Sequence, residues 1–406
     1  MKKVIIYGVG RECDKLFDNF LGLIEHVEVF VDKYSSKNLH RGLPVIHPTE
    51  LEKNDYLEST FIVATRRVFY EEIEAELIDT YGVVKENIRY YYEWLAELLE
   101  KDTNVVVRPV SVGIEASTLC QLNCVSCYMR KTDYASVGKG VLKFEDFKRF
   151  IEDYPFIQRV ELSNNGEVFL NPDIDRILEY AYEKNVEITM LGGVNFNYIA
   201  DSTVENLVKY NVKNITVAID GASQEIYEKY RRNGNFNKVI SNIKKVNQFK
   251  EKYQSNYPHM MWQYILMEHN ECDVEKAKEM AKDLEMIISF KLDWAGSFKP
   301  QNAEKLSEIT GLTVFNRNEY FEKTGELYAA NLCNQLVFKP YINWDGRLLG
   351  CCCVHEKDWK RNVFEDNFIE ALNSGEYKKS VLKVLGSKQE LDTDNPCMSC
   401  RYHVSL

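Results

Sequence analysis

This chain of 406 residues lacks an apolar run long enough to cross a bilayer. About 20 such residues are needed, so a helical membrane span is excluded. No secretion signal is expected. Met1-Lys-Lys starts like one, but Val4-Ile-Ile-Tyr7 runs at once into Gly8-Val-Gly10, too short for the apolar core of a signal. Positive charge is scarce: 51 Lys and Arg stand against 62 Asp and Glu, a formal net charge of −11. Nonspecific nucleic-acid binding needs the opposite balance, so neither nucleic acid nor membrane is expected as a partner. Internal repeats and low-complexity tracts are absent. Eleven cysteines without a secretion signal point to the reducing cytoplasm, and to metal or redox use rather than disulfides.

What is present is an ordinary globular composition, 45% hydrophobic and 28% charged, in a chain long enough for two or three domains. Nine cysteines form two groups, 120–127 and 333–400. Cys13 and Cys272 stand alone and are expected to be buried small hydrophobes.

The densest signal is Thr118-Leu-Cys-Gln-Leu-Asn-Cys-Val-Ser-Cys-Tyr128, which spaces Cys120, Cys124 and Cys127 as C-x3-C-x2-C. Three thiolates on one loop can hold three corners of a cubane iron–sulfur cluster. The fourth iron is then open to a substrate or cofactor, whereas electron-transfer clusters use four cysteines. Zinc is the competing reading. Structural zinc closes a tetrahedron with two cysteine pairs, or a pair plus histidines, and here the next cysteine is Cys272.

Three regions separate along the chain: 1–100, 105–310 and 325–406. In the first, Val4–Tyr7 reads as a buried strand, Gly8-Val-Gly10 as a turn and Asp14–Phe20 as a helix. Val27–Val31 is a second strand ending at Asp32, and Thr60–Ala64 another. That is the order of a Rossmann half. The glycine fingerprint is incomplete, with Cys13 at its third position, while Asp32 falls where a ribose-binding carboxylate would. Gly8, Gly10 and Asp32 are the candidate nucleotide ligands. The segment Phe30–Pro48 is similar to small nucleotide-binding-type domains beside sugar-modifying enzymes. The other reading is a degenerate domain used for packing or docking. Tyr90-Tyr-Tyr-Glu-Trp94 reads as a helical packing face and Lys101–Asn104 as a linker.

The second region alternates strands (Val110–Glu115, Val160–Ser163, Val186–Leu191, Ile215–Ile219, Met260–Ile265, Ile287–Leu292) with helices such as Asp173–Lys184 and Gln224–Lys250. Six βα units with right-handed crossovers predict parallel strands curled into a partial barrel. The cysteine loop follows the first strand, at the carboxyl end where such sheets bind ligands. The predicted fold class is α/β: a Rossmann-like α/β domain over 1–100, a partial (β/α)6 barrel over 105–310 and a small cysteine-rich cluster-binding domain over 325–406.

The triplet is similar to that of the radical S-adenosylmethionine (radical SAM) enzymes, and other segments carry the same likeness. Asn164-Asn-Gly-Glu-Val-Phe-Leu-Asn-Pro-Asp173 resembles the family's GGE motif, with Asn165 in place of the first glycine. Val217-Ala-Ile-Asp-Gly221, then Glu225-Ile-Tyr227, Arg231-Arg232 and Gly234-Asn-Phe236, resembles V-S-I-D-G followed by Y…R…G-x-F. Ala218 replaces the serine that commonly touches the SAM ribose. The third strand reads Thr189-Met-Leu-Gly-Gly193 instead of ending T-N-G, and Ser126 replaces an aromatic residue, with Tyr128 nearby to cover adenine. The resemblance implies a 4Fe–4S cluster on Cys120, Cys124 and Cys127. It implies SAM held by Tyr128, Asn165, Gly166, Glu167, Asp220 and Arg231, with the Glu167 carboxylate orienting the cationic amino group.

Near the end of the chain, Cys333, Cys351, Cys397 and Cys400 are spaced C-x17-C-x45-C-x2-C, with Gly346 ahead of Cys351. This resembles the shortened auxiliary-cluster extension called a twitch domain, related to the longer SPASM extension. It implies a second 4Fe–4S cluster on those four thiolates, with Cys352 or Cys353 as substitutes for Cys351. A zinc ribbon is the bland reading.

The resemblance implies that the reduced first cluster passes an electron to SAM, giving methionine and a 5′-deoxyadenosyl radical that abstracts hydrogen from substrate. A fully ligated auxiliary cluster can accept an electron, and loss of a hydrogen atom, a proton and an electron turns an alcohol into a ketone. The expected function is therefore oxidation, or epimerisation, of a carbohydrate, aminocyclitol or nucleotide-sugar. The substrate would be a small molecule, and the reductant a one-electron carrier such as a flavodoxin or ferredoxin. Epimerisation would need a hydrogen donor, for which Cys272 is the candidate. The alternative is a radical SAM maturase of a ribosomally made peptide. Such enzymes usually open with a winged-helix-type recognition domain, which the start of this chain does not resemble. A non-enzymatic reading keeps the clusters as structural or redox-sensing centres.

Overall fold

The structure is a computed structural model that describes residues 4–51, 56–131, 137–293, 298–353 and 358–400. Its strands are β1 (Val4–Tyr7), β2 (Phe20–Leu21), β3 (Val27–Val31), β4 (Leu39–His40), β5 (Leu43–Ile46), β6 (Phe61–Val63), β7 (Ile88–Tyr90) and β8 (Val106–Val107). They continue with β9 (Ser111–Ile114), β10 (Arg159–Glu161), β11 (Glu187–Val194), β12 (Asn214–Ala218), β13 (His259–Leu266), β14 (Ile287–Leu292) and β15 (Tyr341–Ile342).

The first sheet has the order β4-β5-β3-β1-β6-β7. Its strands are parallel except for β4, which folds back on β5 as a hairpin. Strand order reverses between β1 and β6. β1 is buried throughout, which is why it is apolar at every position rather than at alternate ones. Its period-2 geometry still sorts the side chains: Val4 and Ile6 join the main core, Ile5 and Tyr7 a second core with Val29, Phe61 and Leu77. The main core runs without a break from Val4 to Cys397.

The second sheet has the order β14-β13-β12-β11-β10-β9-β15, parallel at every pairing. Strands β9 to β14 appear in sequence order, as consecutive βα units require. The seventh strand was not foreseen. β15 comes from the cysteine-rich region and pairs with β9, covering an edge that would otherwise expose unpaired amides. Gly113 allows this, since a Cβ there would lie 2.5 Å from the Tyr341 ring. Gly140 makes the same room for Trp344.

Two further expectations are corrected. The predicted helix Gln224–Lys250 is two helices, Gln224–Tyr230 and Phe236–Tyr253. Asn233 turns left-handed at φ 66°, Gly234 sits against the Tyr227 ring, and Asn235 caps the second helix by accepting from the Lys238 amide. Cys13 is buried as expected, but Cys272 is exposed, in a short 3-10 turn after β13. Among the described residues no helix is long and apolar enough to cross a membrane.

Candidate metal and cofactor site

The cysteine loop leaves the carboxyl end of β9 and is fastened on three sides. The Thr118 amide donates to the Gly140 carbonyl at 3.0 Å, and the Glu167 amide to the Leu119 carbonyl at 2.8 Å. Further along, the Asn123 amide donates to the Arg232 carbonyl and the Val125 amide to the Tyr230 carbonyl. The loop therefore meets the turn after β10 and the break between the two helices that follow β12. Gly166 is packed so closely that a Cβ would collide with the Ser117 carbonyl and the Thr118 backbone. That steric demand accounts for glycine in the second position of the Asn165-Gly-Glu segment.

Burial pushes the Cys120 thiol up to about 12, with Glu167 and the thiols of Cys124 and Cys127 adding to it. Thiols held this way must lose protons when they take a metal. The Asn195 side-chain amide approaches the Cys120 sulfur at 3.8 Å, and Arg231 Nη1 approaches the Cys124 sulfur at 3.6 Å. Among the described residues no group of three or more His, Cys, Asp or Glu forms a site for a single metal ion.

Glu167 is buried beside this loop. Its Oε2 accepts from the Asn195 amide at 2.7 Å, while Oε1 has no hydrogen-bond partner. Burial raises this carboxyl to about 7. An unpaired buried carboxylate oxygen is costly, and a cationic amine is the chemistry that would satisfy it. Gln121 also keeps a buried oxygen without a partner, its amide donating to Asn195 Oδ1 at 2.9 Å. These orphaned acceptors and the tight Gly166 backbone fit a SAM amino group beside an iron–sulfur cluster.

Asp220 is fully buried in a left-handed conformation, φ 58°. Its carboxylate accepts from Arg231 Nε at 2.7 Å and from the Ile265 amide at 2.7 Å. Asp220 thus fixes the guanidinium that faces Cys124, whereas the neighbouring Arg232 meets the loop through its carbonyl. Asn165 offers its amide to Glu115 Oε2 at 2.8 Å. Tyr128 is 48% exposed at the start of the short helix Tyr128–Lys131.

Sequence reasoning missed Asn195. It lies beyond the Gly192-Gly193 pair, at the end of β11, where four residues span the distance covered by two on β12. The bulge delays the functional asparagine past the expected register. Lys291 on β14 was missed as well. Its amine donates to Gln263 at 2.7 Å, and burial lowers its proton affinity.

The second cysteine group also converges. Burial raises Cys333 and Cys397 to about 12 each, and Cys351 and Cys400 lie close enough to add to both. The Cys353 thiol lies close to Cys351, Cys352 and Cys400, and their proximity raises it as well. All six thiols are thus gathered, and Cys351 and Cys397 are the buried pair. The Asn164 side chain reaches the Cys352 carbonyl at 3.3 Å, linking this group to the turn that carries Glu167.

Gly8, Gly10 and Asp32 come together at the carboxyl ends of β1 and β3. The Asp32 carboxylate is engaged by backbone there, accepting from the Val9 amide at 3.0 Å, Tyr34 at 2.8 Å and Ser35 at 2.7 Å.

Comparison with known proteins follows the same lines. Residues 114–281 match the family described as the Radical SAM superfamily. An AdoMet-dependent heme synthase of Methanosarcina barkeri is 26% identical over 178 residues, 43% of this chain and 48% of that protein. The antilisterial bacteriocin subtilosin biosynthesis protein AlbA of Bacillus subtilis is 26% identical over 197 residues, 43% of this chain and 42% of that protein. The chain therefore spans less than half the length of either curated relative. Among solved structures, Streptococcus suis SuiB superposes with a TM-score of 0.52 at 15% identity, over 82% of each chain, a likeness of fold.

Proposed function

We propose that the chain, whose residues 114–281 match the Radical SAM superfamily, is a radical SAM enzyme that matures a ribosomally made peptide by radical chemistry. The family implies one 4Fe–4S cluster and SAM; the proposal assigns the first to Cys120, Cys124 and Cys127, and the second to the pocket of Glu167. It adds an auxiliary 4Fe–4S cluster on Cys333, Cys351, Cys397 and Cys400, and keeps the division at 1–100, 105–310 and 325–406. The observation that carries it is the reach of the SuiB likeness. It covers 82% of this chain, well beyond the family segment, and SuiB has been solved with a precursor peptide bound. The bacteriocin biosynthesis relative supports the same direction.

When bound, the first cluster on Cys120, Cys124 and Cys127 together with SAM would supply hydrogen-abstracting radical chemistry, and an auxiliary cluster on Cys333, Cys351, Cys397 and Cys400 would supply an acceptor for one electron. The residues of the chain do the rest. Glu167 holds the SAM amine, Gly166 lets the backbone close against the cysteine loop, and Asp220 aims Arg231 at Cys124. Forming a crosslink removes two hydrogens from the peptide, one as an atom and one as a proton. Lys291, buried and low in proton affinity, is the proposed proton acceptor.

Oxidation of a carbohydrate alcohol is the second reading, favoured by the first sheet with its glycine turn, which has the strand order of a Rossmann half. One experiment separates the two. Anaerobically reconstituted, reduced protein is given SAM with either a short peptide encoded beside its gene or a panel of nucleotide-sugars. A peptide about 2 Da lighter, with one 5′-deoxyadenosine per turnover, supports maturation. A ketone from a sugar with the peptide unchanged replaces it by the second reading. A flavodoxin or ferredoxin is the proposed natural reductant.

A further inference from the structure

A cavity of about 580 Å³ lies away from the cysteine loop, at the carboxyl ends of β1, β6 and β7. Lys15 lines it from the helix after β1, Arg66 and Arg67 from the loop after β6, and Tyr90 to Tyr92 from the segment after β7. Its far wall is the turn Ala330–Asn334, through Asn331 and Asn334. Open α/β sheets take ligands at this position, outside the carboxyl ends and where strand order reverses.

The charges are unevenly used. Lys15 pairs with Glu12 at 3.7 Å, and Glu12 also accepts from the Tyr91 hydroxyl at 3.1 Å. Glu93 is the other acid in the lining. Arg66 stacks over Phe69, and Arg67 over Tyr70 and Tyr90, at 4.8 to 4.9 Å. Among the described residues neither guanidinium is paired with a carboxylate. Two guanidinium forks match phosphate oxygens; Tyr90 and Tyr91 are buried, and the half-buried Tyr92 ring is the tyrosine left to meet a planar base. On the other flank, the Asp32 carboxylate is already taken by three backbone amides.

We propose that this cavity binds a nucleoside diphosphate, with Arg66 and Arg67 on the phosphates and Tyr92 against the base. The ligand lies between the first sheet and the segment carrying Cys333, so both contribute to its binding. A free nucleotide and a nucleotide-sugar share this chemistry. The site is independent of the substrate proposed above, because it contains no residue of the cysteine loop.

The test is calorimetric titration of anaerobically reconstituted full-length protein, with saturating SAM present to fill the other pocket. The probes are ADP, UDP, UDP-glucose and pyrophosphate. At least one nucleotide should bind at micromolar concentration, and the double variant Arg66→Ala, Arg67→Ala should weaken it by about tenfold or more. Both arginines are exposed, so the variant should keep its melting temperature. Tyr92→Ala should weaken the nucleotides and leave pyrophosphate unchanged. Tighter binding of UDP-glucose than of UDP would identify the nucleotide-sugar as the source, and equal binding the free nucleotide. Absence of binding at millimolar concentration, or affinity unchanged in the double arginine variant, would overturn the site. Neither result bears on SAM cleavage, which is measured separately.

Discussion

Glu167 is readable from both directions. In sequence it stands out because a strand, a glycine and the cysteine triplet precede it. In the fold it stands out because one oxygen is bonded and the other is not. Glu167→Gln keeps the shape and removes the charge, so SAM affinity should fall about tenfold while iron content stays constant, measured by equilibrium binding and iron assay. Cys120→Ala should abolish 5′-deoxyadenosine formation altogether; product from that variant would sink the assignment of the first cluster. Asn195 and Gln121 were not legible, because a side-chain amide has no spacing signature and the bulge in β11 moves Asn195 out of the expected register. Glu115 was passed over as the end of a strand. Burial raises its carboxyl from 4.5 to about 8, so the folded state binds this proton more tightly than the unfolded chain. Its contribution to stability is complete below about pH 4.5 and is lost as pH rises through 8. Thermal unfolding across that window should show stability falling by up to about 1.4 kcal/mol per pH unit, and Glu115→Gln should flatten the slope.

Elements were legible where one physical cause dominated. Strands β1, β3 and β6 of the first sheet are legible as short apolar runs, since they are buried on both faces, and β9 to β14 of the second are legible as well, whereas the parallel strands β5 and β7 are not. The helix between β12 and β13 was read through its break, because Ile226, Tyr227, Phe236 and Val239 are all buried and preserve an apolar pattern across it. Strand β15 was hidden for another reason. Two residues carry no periodicity, and the partner is more than two hundred positions away. What marks the pairing is Gly113, whose missing side chain is the Tyr341 ring's space. Gly113→Ala should cost about 1–3 kcal/mol by overpacking and lower the melting temperature by several degrees. Adding Tyr341→Leu should restore part of the loss; no recovery would mean that the strain lies elsewhere.

At the scale of the whole molecule, the cysteine arithmetic makes the strongest claim. Two cubanes require about eight iron atoms per chain. The double variant Cys397→Ala, Cys400→Ala should drop this to about four, retain 5′-deoxyadenosine release and lose the finished product. Zinc in place of iron at either group would reject the corresponding cluster. The two cysteine groups were visible in sequence because spacing survives without a fold; their connection through Asn164 and the Cys352 carbonyl was not, because it joins residues far apart in the chain.

The pairing of β15 with β9 also has a bearing on biosynthesis. A ribosome releasing this chain exposes the flank of β9 early and supplies its neighbour only after roughly 230 further residues. Until then the nascent sheet presents unsatisfied amides to any extended polypeptide nearby. Protein truncated before Tyr341 should therefore accumulate as insoluble material.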